Sequence, residues 1–167
     1  MAIGIGQIGA ASGFASGSTI YRYYRDKGDV LTAIVRRFHE WVAYESASAL
    51  QDTLHDHEAI RDLADGYIRV ARRATDLLAV VVTESLHLPE ATGPELARMS
   101  DDSHQEWARW LAAANPLSDA PTRTILVNAV RTVINDLTRT RVLTADPRFE
   151  PALRTCVMSI LLSRSHE

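Results

Sequence analysis

Eight residues near the N-terminus carry the functional groups that grip and read a nucleic acid: Ser16, Gly17, Ser18, Thr19, Tyr21, Arg22, Tyr23 and Lys27. The hydroxyls of Ser16, Ser18 and Thr19 can donate to or accept from base edges. Their small size lets a helix approach a groove closely. Gly17 permits a tight backbone and exposes N–H groups to a phosphate. Arg22 is long enough to address a guanine with two hydrogen bonds. Lys27 would hold a phosphate, helped by the positive end of the helix it opens. Tyr21 and Tyr23 lie two residues apart, so they splay to different sides of a helix. Ile20 and Tyr24 are expected to face inward.

Those side chains need a particular scaffold. Residues 5–31 read as a helix, a tight turn, a short second helix and the capped start of a long third one, which is a helix-turn-helix. The first helix, 3–12, is weakened by Gly4, Gly6 and Gly9, each costing about 1 kcal/mol relative to Ala. Residues 17–24 form the recognition helix, capped by Ser16 or Ser18. Asp26 is placed to cap a long helix over 27–50, with Asp29 in the acidic position of a capping box. Leu31, Ile34, Val35, Phe38, Trp41 and Val42 recur along it at the helical period. Further helices are predicted over 57–74, from Thr75 to before Pro89, and over 92–114, 120–143 and 149–164. No strand alternation appears, and no internal repeat or low-complexity linker.

The segment resembles the DNA-binding motif of the tetracycline-repressor (TetR) family. Ile8, Gly9, Ala11, Ser12, Gly13 and Phe14 match its first run, and Thr19, Ile20, Tyr21, Arg22, Tyr23, Tyr24, Lys27, Val30 and Leu31 its second. The interval from Gly13 to Tyr21 is one residue longer than the family's, and Gly17-Ser18 absorbs the extra residue. Family members also carry a helix before this motif, which covers the apolar side of the next two. Only a few residues precede the motif here, so Ile5, Ile8, Phe14 and Ile20 are expected to lack part of that cover.

The resemblance implies an all-α fold. A helix-turn-helix head, residues 1–37, is joined by a long helix to a helical effector-binding and dimerisation body, residues 38–167. It implies double-stranded operator DNA as partner, with the matching tyrosines on phosphates or sugars. The last two helices carry apolar residues over a broad arc, Ile125, Val130, Val133, Ile134 and Leu137 on one and Leu153, Val157, Ile160 and Leu161 on the other; the resemblance implies a homodimer through them, the alternative being that they simply close the core of one chain. A small, largely apolar effector would occupy the body, which makes the protein a ligand-responsive regulator, most often a repressor. The competing reading is a small-molecule-binding or dimerisation module whose DNA-binding head is incomplete and inactive.

Composition is consistent with a folded protein: 46% of residues are hydrophobic and 23% charged. The net charge of −3 is unevenly spread. Residues 1–37 hold five basic residues against two acidic ones, leaving a locally positive head on an acidic body. No run approaches the length of a membrane span, and the N-terminus lacks the basic flank of a signal peptide. Cys156 is the single cysteine, which rules out an internal disulfide and a cysteine-based zinc site. Its apolar surroundings predict a packed core thiol. A cytoplasmic location is expected, with no cofactor.

Other constellations are weaker. Gly4-Ile5-Gly6-Gln7-Ile8-Gly9 spells the dinucleotide-binding glycine pattern, but no strand precedes it and no βαβ unit follows. His55 and His57 are two residues apart, the wrong spacing for a shared helical metal site, so no metal is expected. Glu84 and His87 share a helical face and are expected to bond each other inside the body, or to orient a ligand. No nucleophile elbow, phosphate-binding loop or catalytic carboxylate pair is present, so an enzyme is not expected. Trp41, Tyr44, Tyr67, Trp107 and Trp110 read mainly as core packing, with some available to line an effector cavity.

Overall fold

The computed structural model describes residues 22–51, 53 and 55–163. The described residues include seven α-helices and the short 3-10 turn Ser85–His87, and none of them is in a strand. The helices are α1 (Lys27–Ala49), α2 (Asp56–Arg73), α3 (Thr75–Glu84), α4 (Gly93–Ala114), α5 (Ala120–Thr138), α6 (Arg141–Thr144) and α7 (Phe149–Leu161). The expected all-α class is therefore the observed one. No described helix is long and apolar enough to cross a membrane.

The ends of the helices are where the sequence places its signals. Asp26, in extended conformation, caps α1 by accepting the Asp29 N–H at 2.9 Å. The return half of the capping box is displaced by one residue, because Asp29 accepts from the Arg25 N–H at 3.0 Å rather than from Asp26. Asp119 caps α5 in the same way, accepting from Thr122, with Pro121 in the first turn where a missing N–H costs nothing. Pro94 opens α4 on the same logic. The helix expected over 120–143 is interrupted: α5 stops at Thr138, and α6 follows as a separate turn.

α2 is the axis of the bundle. Ala59, Ile60, Leu63, Ala64, Tyr67, Ile68, Val70 and Ala71 are all buried, because α1, α4, α5 and α7 surround it. The main core joins these to Phe38 and Val42 of α1, Leu78 of α3 and Trp107 and Leu111 of α4. Val127, Val130 and Ile134 of α5 and Leu153, Val157 and Leu161 of α7 complete it, so Val130, Ile134, Leu153, Val157 and Leu161, expected at a dimer interface, close the core of the single chain instead. A smaller cluster seats Leu31 and Val35 of α1 against Leu96 of α4. Tyr24 turns inward onto Val30, as expected.

Two packing expectations fail. Tyr44 is 70% exposed, and Cys156 is exposed on the outer face of α7. Both lie on helices whose inner arc is already filled: Val42 and Ser46 flank Tyr44 on α1, and Leu153 and Val157 flank Cys156 on α7. Position on the helix outweighs residue type.

Candidate nucleic-acid interface and effector cavity

Of the eight residues expected to meet DNA, Ser16, Gly17, Ser18, Thr19 and Tyr21 lie outside the described residues, as does Ile20. Arg22, Tyr23 and Lys27 are all exposed, Tyr23 at 72%. They stand with Arg25 on the few residues that lead into α1. Arg25 is tied to Asp29 at 3.2 Å. The backbone N–H of Arg25, then its guanidinium, hold the Asp29 carboxyl below the usual carboxylate range. Arg22 and Lys27 make no ion pair among the described residues. Lys27 adds a full charge to the positive pole of a 23-residue helix, where an anion is doubly favoured.

The next turns of α1 are seamed to the segment that joins α3 to α4. A Cβ on Gly28 would stand 2.8 Å from Pro89 Cγ, so only glycine allows this approach without a shift. One turn on, the Thr32 and Thr92 hydroxyls are 3.2 Å apart. Another turn on, the Arg36 guanidinium donates two hydrogen bonds to Glu95 at 3.1 and 3.0 Å, a paired geometry that fixes orientation. Positions 28, 32 and 36 are one helical turn apart, so a single edge of α1 carries all three contacts.

Behind that seam lies a cavity of about 390 Å³. α1 lines it with Val35, Phe38 and His39, α2 with Tyr67 and α3 with Val81. α4 supplies Leu96, Ser100 and His104, and α5 supplies Asn128, Arg131, Thr132 and Asn135. The lining therefore combines apolar residues with a polar group drawn from α1, α4 and α5.

The polar lining is ordered. The Tyr67 hydroxyl donates to Asn135 Oδ1 at 2.9 Å. Arg131, only 6% exposed, donates from Nη1 to Ser103 Oγ at 2.8 Å. Its guanidinium carbon lies 4.7 Å from the centre of the Tyr67 ring, a cation–π contact. His104 Nδ1 bonds the Ser100 carbonyl at 2.7 Å, so that nitrogen carries the hydrogen. Burial, then the Arg131 charge, lowers the pKa of His104. The same two causes, with His104 added, push His39 down to about 4. Both imidazoles are thus neutral at pH 7, and His39 Nδ1 is buried without a hydrogen-bond partner.

Tyr67 and Trp107 meet edge-to-face at 5.9 Å, as expected of core aromatics. Glu84 and His87 do pair, at 3.6 Å, but on the surface: His87 is 71% exposed, so neither role inside the body applies. The described residues hold no cluster of metal-ligating side chains.

An exposed cationic segment leading into a long first helix, and a helical bundle with a cavity behind that helix, make up the described architecture. No protein-family model matches the sequence, and no curated protein matches it either. Solved structures do. The chain is similar to the TetR-family transcriptional regulator PfmR from Thermus thermophilus, with 17% identity and a TM-score of 0.79, over 98% of this chain and 91% of that one. It is also similar to a TetR-family transcriptional regulator from Bordetella parapertussis, with 17% identity and a TM-score of 0.83, over 98% and 85% of the two chains. A third neighbour is the fatty acid degradation regulator FadR from Bacillus halodurans, with 18% identity and a TM-score of 0.63, over 99% and 87%. The chain has the fold of these regulators.

Proposed function

We propose that this chain is a ligand-responsive, DNA-binding transcription regulator of the TetR type, acting as a repressor and dimeric on a near-palindromic operator. One observation carries the reading: α1 opens at the exposed Lys27, just after the exposed Arg22 and Arg25, and ends its first half, at Val35, Phe38 and His39, as a wall of the cavity. Anything that repositions the wall repositions the cationic end. A ligand that prefers one position of α1 would thereby change DNA affinity by its difference in affinity for the two states.

The fold of the three solved regulators and the ordered motif from Ile8 to Leu31 support the same reading. Two copies would pair through α5 and α7, whose outer faces expose Ile125 (67%), Ala152 and Cys156, and each would offer one recognition helix to successive major grooves. The function is regulation rather than catalysis, carried out in the cytoplasm.

A gel-shift assay with the DNA just upstream of the reading frame tests this. The expected result is a shift by the wild-type protein that Tyr21→Ala and Lys27→Ala each remove. A shift indifferent to both substitutions, or no shift, would count against it and favour a module with an inactive head.

A further inference from the structure

Arg131 has no carboxylate. Its side chain is withdrawn from solvent, yet no Asp or Glu pairs with it among the described residues, and none lines the cavity it faces. The other arginines that reach across helices find acids: Arg36 with Glu95, Arg69 with Glu45, Arg72 with Glu150 and Arg154 with Asp65. A buried cation normally has an anion to offset its desolvation. The Tyr67 ring and the Ser103 hydroxyl occupy one face and one nitrogen of the guanidinium. The remaining N–H groups make no other hydrogen bond among the described residues, and the side chain borders the cavity.

The neighbours complete an anion site without supplying an anion. Asn128 and His104 stand beside Arg131 on the cavity wall, and His39 Nδ1 is an unpartnered polar atom in the same lining. Val35, Phe38 and Leu96 supply apolar lining to the same cavity.

Resting on the effector-cavity reading above, we propose that the ligand is a small organic acid whose carboxylate pairs with Arg131 and whose hydrocarbon part lies against Val35, Phe38 and Leu96. The planar guanidinium suits a carboxylate better than a lysine would, because two parallel N–H groups match its two oxygens. The ligand supplies the negative charge that the protein withholds, which makes the site selective against neutral molecules of equal shape.

Hexanoate and benzoate are the probes, with hexanamide and benzamide as neutral counterparts, titrated calorimetrically into the full chain. The acids are expected to bind tighter than their amides by roughly tenfold or more, the range for hydrogen bonds to a charged partner. Arg131→Gln should remove that preference, and Arg131→Lys should retain part of it. Amides that bind as tightly as acids would overturn the acid site while leaving a ligand cavity in place. Silence from all four probes would overturn it as well. The wild-type comparison stands even where a variant fails to fold. Acids that bind to a protein unable to shift DNA would leave the acid site standing and remove the regulator reading, so the two failures are distinguishable.

Discussion

The two sides of α5 are built to opposite rules. Val127, Val130 and Ile134 are completely or almost completely buried in a dry core against α2 and α7. Asn128, Arg131, Thr132 and Asn135, interleaved with them, border the cavity shared with α1 and α4. The dry side closes the bundle and fills its volume. The wet side keeps polar groups where packing alone would have placed Leu or Val, and leaves one cation without an acid. Packing alone does not account for that second side, which is why the proposed ligand site is placed there.

The largest expected effect belongs to the dry side. Ile134→Ala should cost about 2–5 kcal/mol, through lost burial and the cavity left behind, read from denaturant unfolding. On the wet side, Arg131→Met should cost little or nothing, or stabilise the ligand-free protein, because an uncompensated buried charge is removed. Equal losses at both positions would erase the distinction between the sides.

A pH titration sharpens the same contrast. His39 titrates near pH 4 when folded, and near its ordinary 6.5 when unfolded. Between those values the unfolded chain binds more protons, so stability is fully present above pH 6.5 and is lost as pH falls towards 4. The loss is at most about 3 kcal/mol. His39→Phe should flatten that portion of the stability profile measured by thermal unfolding. An unchanged profile would show that the imidazole is not held neutral by burial and by Arg131.

Smaller effects come from the start of α1. Asp26→Ala should cost about 1 kcal/mol by removing the cap on the Asp29 N–H, seen as a modest fall in Tm. Gly28→Ala should lower stability, because the added Cβ would stand 2.8 Å from the Pro89 ring and 3.1 Å from the capping oxygen of Asp26. DNA affinity should move as well, because α1 must shift away from the α3–α4 connection to admit the methyl group.

The helices were legible in the sequence because their apolar residues repeat at the helical period and their caps are explicit: Asp26, Asp119, Pro94 and Pro121 each stand at a helix start. The interruption after Thr138 was not, since Val142 and Leu143 continue the apolar pattern although both are exposed. The proposed anion site is not marked by periodicity in the sequence, for a physical reason. Periodicity marks the apolar arc and treats a charge within it as a surface residue. The signal was present: Arg131 follows Val130, precedes Ile134 by three, and has Val127, Asn128, Ile134 and Asn135 at the positions where a helical acid partner would sit. His39, between Val35 and Val42 on the buried stripe of α1, is similar. Of the residues proposed to meet DNA, Arg22, Tyr23 and Lys27 are exposed at and just before the start of α1, and the other five lie outside the described residues.

The central claim is that α1 makes the cavity and the DNA-binding end one mechanical unit. Filling the cavity from within tests it without any knowledge of the ligand. In Ser100→Phe, the new ring occupies the space between α4 and α1, and fluorescence anisotropy reads the affinity for the upstream DNA. The account expects binding weakened by roughly tenfold or more, the scale of allosteric coupling, with helix content and dimerisation intact. A folded Ser100→Phe protein that binds the same DNA as tightly as wild type would contradict it.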